Sequence, residues 1–349
     1  IDQGIHLGAI QLLKGERKTM AILFINGIND RSVIGVTLDR ESKLIQLIDG
    51  NCSIHRRLPL KQGIDYEFML FGKGVRQNMV TFKIKPNLIF NQIADADTHR
   101  GALERCIELC SQVDTPVMNR PEHVLQTTRD KVSKTLRGIP GVVMPRILRF
   151  RPRSPEEVLE FAVSQRILHP YIVRVAGEHQ GKNMVRLDSP GDMPGLHVLP
   201  FDGREFYLTE FIDYQDDEGL YHKQRIIVID GEPYLRHSLY SDEWMVHAKA
   251  RSFMKQRESW EQDIVRFDRL RDEVLPLARP AIDEITKRLN LEYYGIDGHI
   301  RPDGTLVIFE ANANMNVLHS PNEATRYRVE AIQQALYRML EKYSGEKVI

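Results

Sequence analysis

The sequence carries no surplus charge of either sign: 48 lysines and arginines stand against 48 aspartates and glutamates over 349 residues. A balanced chain sets up no global field that would gather nucleic acid or an anionic membrane, so any anion chemistry must come from local clusters. Cysteine is scarce, three in all. Cys106 and Cys110 fall in the helical pattern GALERCIELCSQ with no second ligand pair at zinc-finger spacing. That argues against a disulfide framework or structural zinc and predicts a reducing, cytoplasmic setting. No apolar run reaches the roughly 18 to 20 residues of a membrane span, and the N-terminal segment lacks a signal peptide's cleavage pattern. Neither a Ser-His-Asp nor a Cys-His nucleophile signature is found. The chain opens on Ile1 rather than methionine, which is compatible with a fragment of a longer protein.

What is there is enough length for one large domain or two or three smaller ones. IHLGAIQLLKGERK reads as the end of an amphipathic helix, and MAILFIN as a buried strand, which puts a boundary near Lys18. Short β-rich runs such as VIGVTLD and KLIQLID follow. KPNLIFNQIADADTHRGALERCIELCSQV predicts a strand, a polar loop and a helix, with a further short strand at TPVMN: a βαβ unit. HVLQTTRDKVSKTLRGIPG reads as a helix and VVMPRILRF as a strand. RSPEEVLEFAVSQRI is a helix with Ser154 as N-cap, Pro155 in the first turn and Glu157 completing a capping box. YIVRVAGEHQGKNMVRL, FYLTEFID and KQRIIVIDGEPYLRHSL are strands, the first interrupted by a glycine-containing loop. A charged helical stretch over 258–290 should break or kink at Pro276 and Pro280. The tail over 323–343 predicts a closing helix.

YYGIDGHIRPDGTLVIFEANANMN, residues 293–316, has the alternation of a hairpin with Pro-Asp-Gly at its turn. A two-residue loop pairing Arg301 with Gly304 would set Asp297 opposite Ile308, with Glu310 as its diagonal neighbour and Asn312 on the same face. A one-residue bulge would move Glu310 to the other face. Two adjacent carboxylates repel, and burying both unpaired is costly, so something positive belongs between them. Oxygen-only donors suit a hard cation such as Mg²⁺, with Mn²⁺ as an alternative. The competing reading is two rim carboxylates with the asparagines as turn formers.

Gly-Ile-Asp, a turn and FEANANMN resemble the magnesium-binding end of the ATP-grasp fold, the fold of D-alanine ligase, glutathione synthetase and related carboxylate-amine ligases. Other pieces of that pattern occur in order from about Pro86 to Asn316. The resemblance implies an α/β (α+β) chain: an N-terminal helical segment (1–18), an α/β pre-ATP-grasp domain (19–120) and an ATP-grasp domain (121–349) with a small subdomain to about 210 and a large one from 211. HPYIVRVAGEHQGKNMVRL resembles the phosphate-holding segment, with Arg174 at a position usually held by lysine and with Gly177 and Gly181 in the mobile loop. The resemblance implies an earlier phosphate contact at Lys131 in TTRDKVSKTL, or alternatively at Arg146. YLTEFID looks like the nucleotide hinge: main-chain atoms of Glu210, Phe211 and Ile212 would meet the adenine, and Asp213 the ribose. Arg225 fits the oxyanion-stabilising arginine, although Lys223 replaces the aspartate that often precedes it. The implied metal ligands are Asp297, Glu310 and Asn312. Arg236, His237, His247 and Asn314 are candidates for contact with substrate. So are Asn91, Asp95, Asp97 and His99 in the loop at a strand's carboxyl end, where Asp97 can equally be a helix cap. The segments LIFNQIADAD, TTRD, TEFIDY and EWMVH also resemble uncharacterised bacterial ATP-grasp domains that follow tetratricopeptide repeats.

The expected function is therefore an ATP- and Mg²⁺-dependent ligase that joins a small-molecule carboxylate to an amine, an amino acid or peptide among the options, and releases ADP and phosphate. Two alternatives stay open: a small-molecule kinase on the same scaffold, and a non-catalytic nucleotide-binding or regulatory module. No nucleic-acid or membrane partner is expected, and a homodimer is an open expectation.

Overall fold

MAILFING is apolar at nearly every position, the pattern of a strand covered on both faces, and in the computed structural model it is β1 (Met20–Gly27), buried throughout. The structure describes residues 20–38, 44–47, 49–52, 54, 58, 64–72, 85–179, 181–247, 249–318 and 323–346. The helix expected within 1–18 lies outside these. β2 (Gly35–Leu38) and β3 (Leu44–Leu47) form a separate antiparallel pair. β4 (Ile64–Phe71), β5 (Leu88–Asn91) and, after α1 (Arg100–Cys110), β6 (Val117–Met118) join β1 in a parallel sheet of order β4-β1-β5-β6. The β5-α1-β6 crossover is the βαβ unit predicted from sequence.

The helix predicted from HVLQTTRDKVSKTLRGIPG is two: α2 (Pro121–Val124) and α3 (Arg129–Leu136). VVMPRILRF also divides, because Pro145 has no N–H to donate to a ladder. β7 (Val142–Val143) pairs in parallel with a later strand, and β8 (Ile147–Phe150) opens a second sheet. That sheet is completed, after α4 (Pro155–Ser164), by β9 (Tyr171–Val175), β10 (Met184–Leu187) and β11 (Phe206–Glu210), antiparallel in the order β10-β9-β11-β8. Ser154 caps α4 by accepting from Glu157 N at 3.4 Å, while the Glu157 carboxylate accepts from Arg153 N rather than from Ser154.

The third sheet starts with β12 (Tyr221–Ile229) and β13 (Glu232–Ser241). Then come α5 (Ala250–Arg257), α6 (Trp260–Arg269), a π turn at Leu270–Val274, a 3-10 turn at Leu275–Ala278 containing Pro276, and α7 (Arg279–Leu289) with Pro280 in its first turn. The prolines break the helical run where a missing N–H requires it. β14 (Tyr293–Ile300) and β15 (Leu306–Ala313) finish an order of β13-β12-β14-β15-β7. The closing helix α8 (Arg326–Ser344) buries Ile332, Leu336 and Met339 in one core with Met20, Ile22, Phe24 and Phe90 of the first sheet and Ile227 and Ile229 of the third. Two sheets far apart in sequence are thus held by one helix. Among the described residues no helix is long and apolar enough to cross a membrane.

Candidate functional site

The turn between β14 and β15 holds three residues rather than two: Arg301 N donates to Thr305 O at 2.9 Å, with Pro302, Asp303 and Gly304 between them. Gly304 sits at φ +85°, a conformation that favours glycine. That turn pairs Gly298 with Ile308 and, taken alone, would put Glu310 on the face opposite Asp297. The ladder then slips by one residue between Gly298 and Asp297, leaving Phe309 as the extra residue of a β-bulge. Asp297 consequently faces Glu310 itself, not Ile308 as the two-residue loop predicts. Gly295 faces Asn312, which keeps the amide on the same side.

The pairing continues across the sheet. Arg225 on β12 faces Asp297, and His237 on β13 faces Arg225, so His237, Arg225, Asp297 and Glu310 form one row over four strands. A second bulge lies on β13 at the same level: Ile226 pairs with Leu235 and Arg225 with His237, which leaves Arg236 as the inserted residue.

Asp297 is fully buried and fully countered. Arg225 grips it with Nε on Oδ1 at 2.6 Å and Nη2 on Oδ2 at 2.8 Å, and Lys223 Nζ reaches Oδ2 at 2.7 Å. Burial by itself would raise this carboxyl's pKa, but Lys223 and Arg225 outweigh it and hold the group well below the usual carboxylate range. Arg129 from α3 hydrogen-bonds Glu310 Oε2. Burial again opposes ionisation, and Arg129 overcomes it, bringing Glu310 down to about 2. Arg174 on β9 lies near both. Burial, then the proximity of Arg129, lowers its pKa to about 10. One Nη donates to Glu178 O, while its buried Nε has no hydrogen-bond partner among the described residues. A buried guanidinium N–H of this kind, beside a second arginine, has the chemistry to donate to an oxyanion.

The loop after Arg174 is placed by its glycines. Gly177 has φ +74°, and a Cβ there would stand 2.6 Å from Thr98 Cγ2. Gly181 has φ +72°, and a Cβ there would stand 2.7 Å from Met245 Sδ. The loop therefore touches the β5–α1 connection on one side and the 240s segment on the other. His179 between the glycines meets Asp95 Oδ2 at 3.1 Å.

No family model matches the sequence, and no curated protein matches it. Solved structures do. A D-alanyl-alanine synthetase A from Vibrio cholerae aligns with 94% of this chain and 99% of its own at a TM-score of 0.56 and 10% identity. A D-Ala:D-Ser ligase from Enterococcus faecalis aligns with 93% and 99% at a TM-score of 0.53 and 14% identity. An N5-carboxyaminoimidazole synthetase from Staphylococcus aureus, complexed with ADP, aligns with 96% and 80% at a TM-score of 0.52 and 10% identity. The chain has the ATP-grasp fold.

Not every residue expected from the ATP-grasp resemblance comes to the row. Lys131 is exposed on α3 and its ammonium is bonded to Leu125 O at 2.8 Å. The cation that this helix delivers to Glu310 is Arg129. The signal was in the sequence: Arg129 shares a helical stripe with Val132, Ser133 and Leu136, all buried, while Lys131 does not. Arg146 turns its guanidinium to Gln165 O at 2.7 Å, and its own backbone is bonded to Glu210. In the hinge, the N–H of Glu210 donates to Arg146 O and that of Phe211 to Pro170 O, so neither is open to an adenine. Arg186 stacks over the Phe211 ring at 3.9 Å. Asp213 is exposed and caps Gln215 N at 3.2 Å.

The candidate substrate residues divide the same way. Asn91 and Asn314 are consumed in a buried clasp. Asn91 Nδ2 donates to Asn119 O, Asn314 Nδ2 to Asn91 O and Ile93 O, and Asn119 Nδ2 to both Asn314 Oδ1 and Tyr293 O, at 2.6 to 3.0 Å. This ties the first sheet to the third; it leaves neither amide for a ligand. His99 is 1% exposed, its ring pressed against Gly27 and Gly50 and bonded to Thr98 Oγ1, too deep to meet substrate. Asp95 accepts from Asp97 N at 2.9 Å and Thr98 Oγ1 at 2.6 Å as well as from His179, and so organises the loop. Asp97 joins Tyr207 and Arg149. His247 Nδ1 accepts from Lys249 N at 3.3 Å. Arg236 Nε donates to Val317 O at 2.8 Å, and its bulge sets it beside Arg225.

Proposed function

We propose that the chain is an ATP-dependent ligase that joins a carboxylate to an amine, with release of ADP and phosphate. The observation that carries this reading is the convergence of Arg129 and Arg174, one with an orphaned buried N–H, on Glu310 at the end of the row that contains Asp297 and Arg225. Arg174 and Arg129 would grip the nucleotide phosphates, with Gly177 and Gly181 letting backbone N–H groups approach them. Adenine would lie along Ile212 and the hinge carbonyls.

The donor set is compatible with Mg²⁺, or Mn²⁺: Glu310 and Asn312 share a face at the cleft and offer oxygen only. They would hold the ion, with Asp297 behind them available if Lys223 or Arg225 gives way. The ion would supply Lewis-acid neutralisation of phosphate charge. An oxygen of the substrate carboxylate attacks the γ-phosphorus as the bond to ADP breaks, giving an acylphosphate. The amine nitrogen then attacks the carbonyl carbon, loses a proton, and phosphate leaves. Arg225, its guanidinium oriented by Asp297, would stabilise the oxyanion of the tetrahedral intermediate. The loop at 177–181 and the 240s segment would exclude water from the acylphosphate.

Supplying the purified chain with Mg·ATP and a metabolite extract, with mass spectrometry of the products, tests the reading. Sustained ADP release that needs both a carboxylate and an amine is expected. AMP as product, or absence of Mg·ATP binding in the wild type, would overturn it. The complete neutralisation of Asp297 by Lys223 and Arg225 favours a second reading, a nucleotide-binding module without turnover, which the same assay separates: ATP bound, no product.

A further inference from the structure

The glycine loop carries an imidazole to the anion grip, and the ligase reading gives it no role. One Nη of Arg174 donates to Glu178 O, and that carbonyl shares a peptide plane with the Cα of His179. The ring of His179 therefore springs from the peptide that Arg174 holds, the same guanidinium whose buried Nε has no hydrogen-bond partner among the described residues. Its seat is firm. His179 Nε2 lies 3.1 Å from Oδ2 of the buried Asp95. Asp95 cannot turn away: Oδ1 accepts from Asp97 N at 2.9 Å and Thr98 N at 3.3 Å, and Oδ2 also accepts from Thr98 Oγ1 at 2.6 Å. The His179 side chain itself is 54% exposed. A carboxylate locked in the β5–α1 connection thus fixes one edge of the ring and leaves the other open.

Burial opposes the charge on Asp95, and the bonds from His179 and Thr98 outweigh it, which keeps the carboxyl ionised. An ionised carboxylate only accepts, so Asp95 takes the proton on Nε2, and in the neutral ring Nδ1 is the nitrogen with the lone pair. Set against a phosphate oxygen, that lone pair is unfavourable. Protonated, the same nitrogen donates a charge-assisted bond. An anion drawn in by Arg174 therefore favours the protonated ring. The bond to Asp95 is the largest influence on His179 and raises its pKa, while burial lowers it. The charges of Asp95 and of Glu310 on β15 act with the first, and Arg129 on α3 acts with the second. The 240s segment meets the loop through Met245, which carries no charge. We propose that His179 contacts the polyphosphate of the nucleotide through Nδ1 and takes up a proton there as the nucleotide binds, with Asp95 as its positioning residue. That the polyphosphate belongs to a nucleotide rests on the ligase reading; the proton-linked anion contact does not.

Calorimetric titration of the full chain with a non-hydrolysable Mg·ATP analogue, Mg·tripolyphosphate and AMP, in buffers of different ionisation enthalpy, counts the proton. Near pH 8 the analogue and tripolyphosphate should each take up a large part of one proton; near pH 6, where the ring is already protonated, almost none. If phosphate raises the imidazole pKa by about one unit, affinity falls about tenfold as pH rises past both values. AMP, without β- and γ-phosphates, should show neither effect. His179→Gln should abolish the uptake and flatten the pH dependence, and Asp95→Asn should move the uptake to lower pH. Nitrogen NMR of the wild-type imidazole is a check that needs no variant: Nδ1 should pass from unprotonated to protonated on adding tripolyphosphate near pH 8. Uptake unchanged in His179→Gln, or an Nδ1 resonance unmoved by bound tripolyphosphate, would overturn the contact. Equal uptake with AMP would overturn the polyphosphate assignment. If tripolyphosphate gives His179-dependent uptake while the ATP analogue does not bind, the ligase reading falls and the contact stands. The analogue bound without uptake removes only the contact, and binding of neither removes both.

Discussion

Glu310 stands directly opposite Asp297 because two irregularities add: a three-residue turn shifts the hairpin by one residue, and the bulge at Phe309 shifts it by one more. Each alone would turn Glu310 to the other side of the sheet. Together they bring the carboxylates within reach of the cations from α3 and β12.

The Arg129–Glu310 pair is enclosed, with side-chain exposures of 14% and 18%. Glu310→Ala removes the carboxylate that Arg129 bonds and leaves Arg129 and Arg174 close together, and should cost roughly 3 kcal/mol in urea denaturation. Arg129→Ala/Glu310→Ala should lose clearly less than the sum of the single variants. Additive losses would show that the two side chains do not share one interaction.

Gly177→Ala combines a disfavoured positive φ with a contact against Thr98. It should lower stability by about 1 to 2 kcal/mol and weaken Mg·ATP binding. Thr98→Ala in the same chain should restore only the contact component, as read from thermal unfolding of the four variants. A neutral Gly177→Ala would mean that the loop does not rest on Thr98.

His179 has its pKa raised, first by its hydrogen bond to Asp95. A raised pKa means that this contribution is fully present below the unfolded value of about 6.5 and is lost as pH rises through the folded value. With the imidazole 54% exposed, the contribution to stability is well under about 1 kcal/mol. Hydrogen exchange is the sensitive readout: the 177–182 backbone should exchange faster, relative to intrinsic rates, at pH 8 than at pH 6. Asp95→Asn should remove the difference.

Asn119→Ala removes donors to Asn314 and Tyr293 O and an acceptor for Tyr293 N, all buried. A loss of about 3 kcal/mol is expected. Limited proteolysis should show new cleavage at the junction of the first and third sheets; protection equal to wild type would assign the cohesion elsewhere.

Much of this was legible in the sequence wherever a local pattern decides. The βαβ unit, the proline break at Pro276 and the Arg174 strand with its glycine loop all follow from periodicity or from motif order. What local pattern could not supply is the register of the hairpin. The correct face for Glu310 emerged from a mistaken loop length, because the error and the unseen bulge differ by an even number of residues. Lys131, with Arg146 as the alternative, was named and Arg129 passed over because motif order was read without helix phase. Asn91 and Asn314 looked available because their partner, Asn119, lies in a different segment, and no spacing rule links positions that only tertiary packing joins.

The helix that roofs both the first and third sheets also has a temporal meaning. A chain emerges from the ribosome N-terminal end first, so β1 and β5 appear long before Ile332, Leu336 and Met339 that cover Ile22 and Phe90. One face of the earliest sheet therefore stays uncovered until nearly the last of the described residues has been translated. A nascent chain stalled before α8 should be the form that chaperones hold and that aggregates, while the released chain closes in one late step.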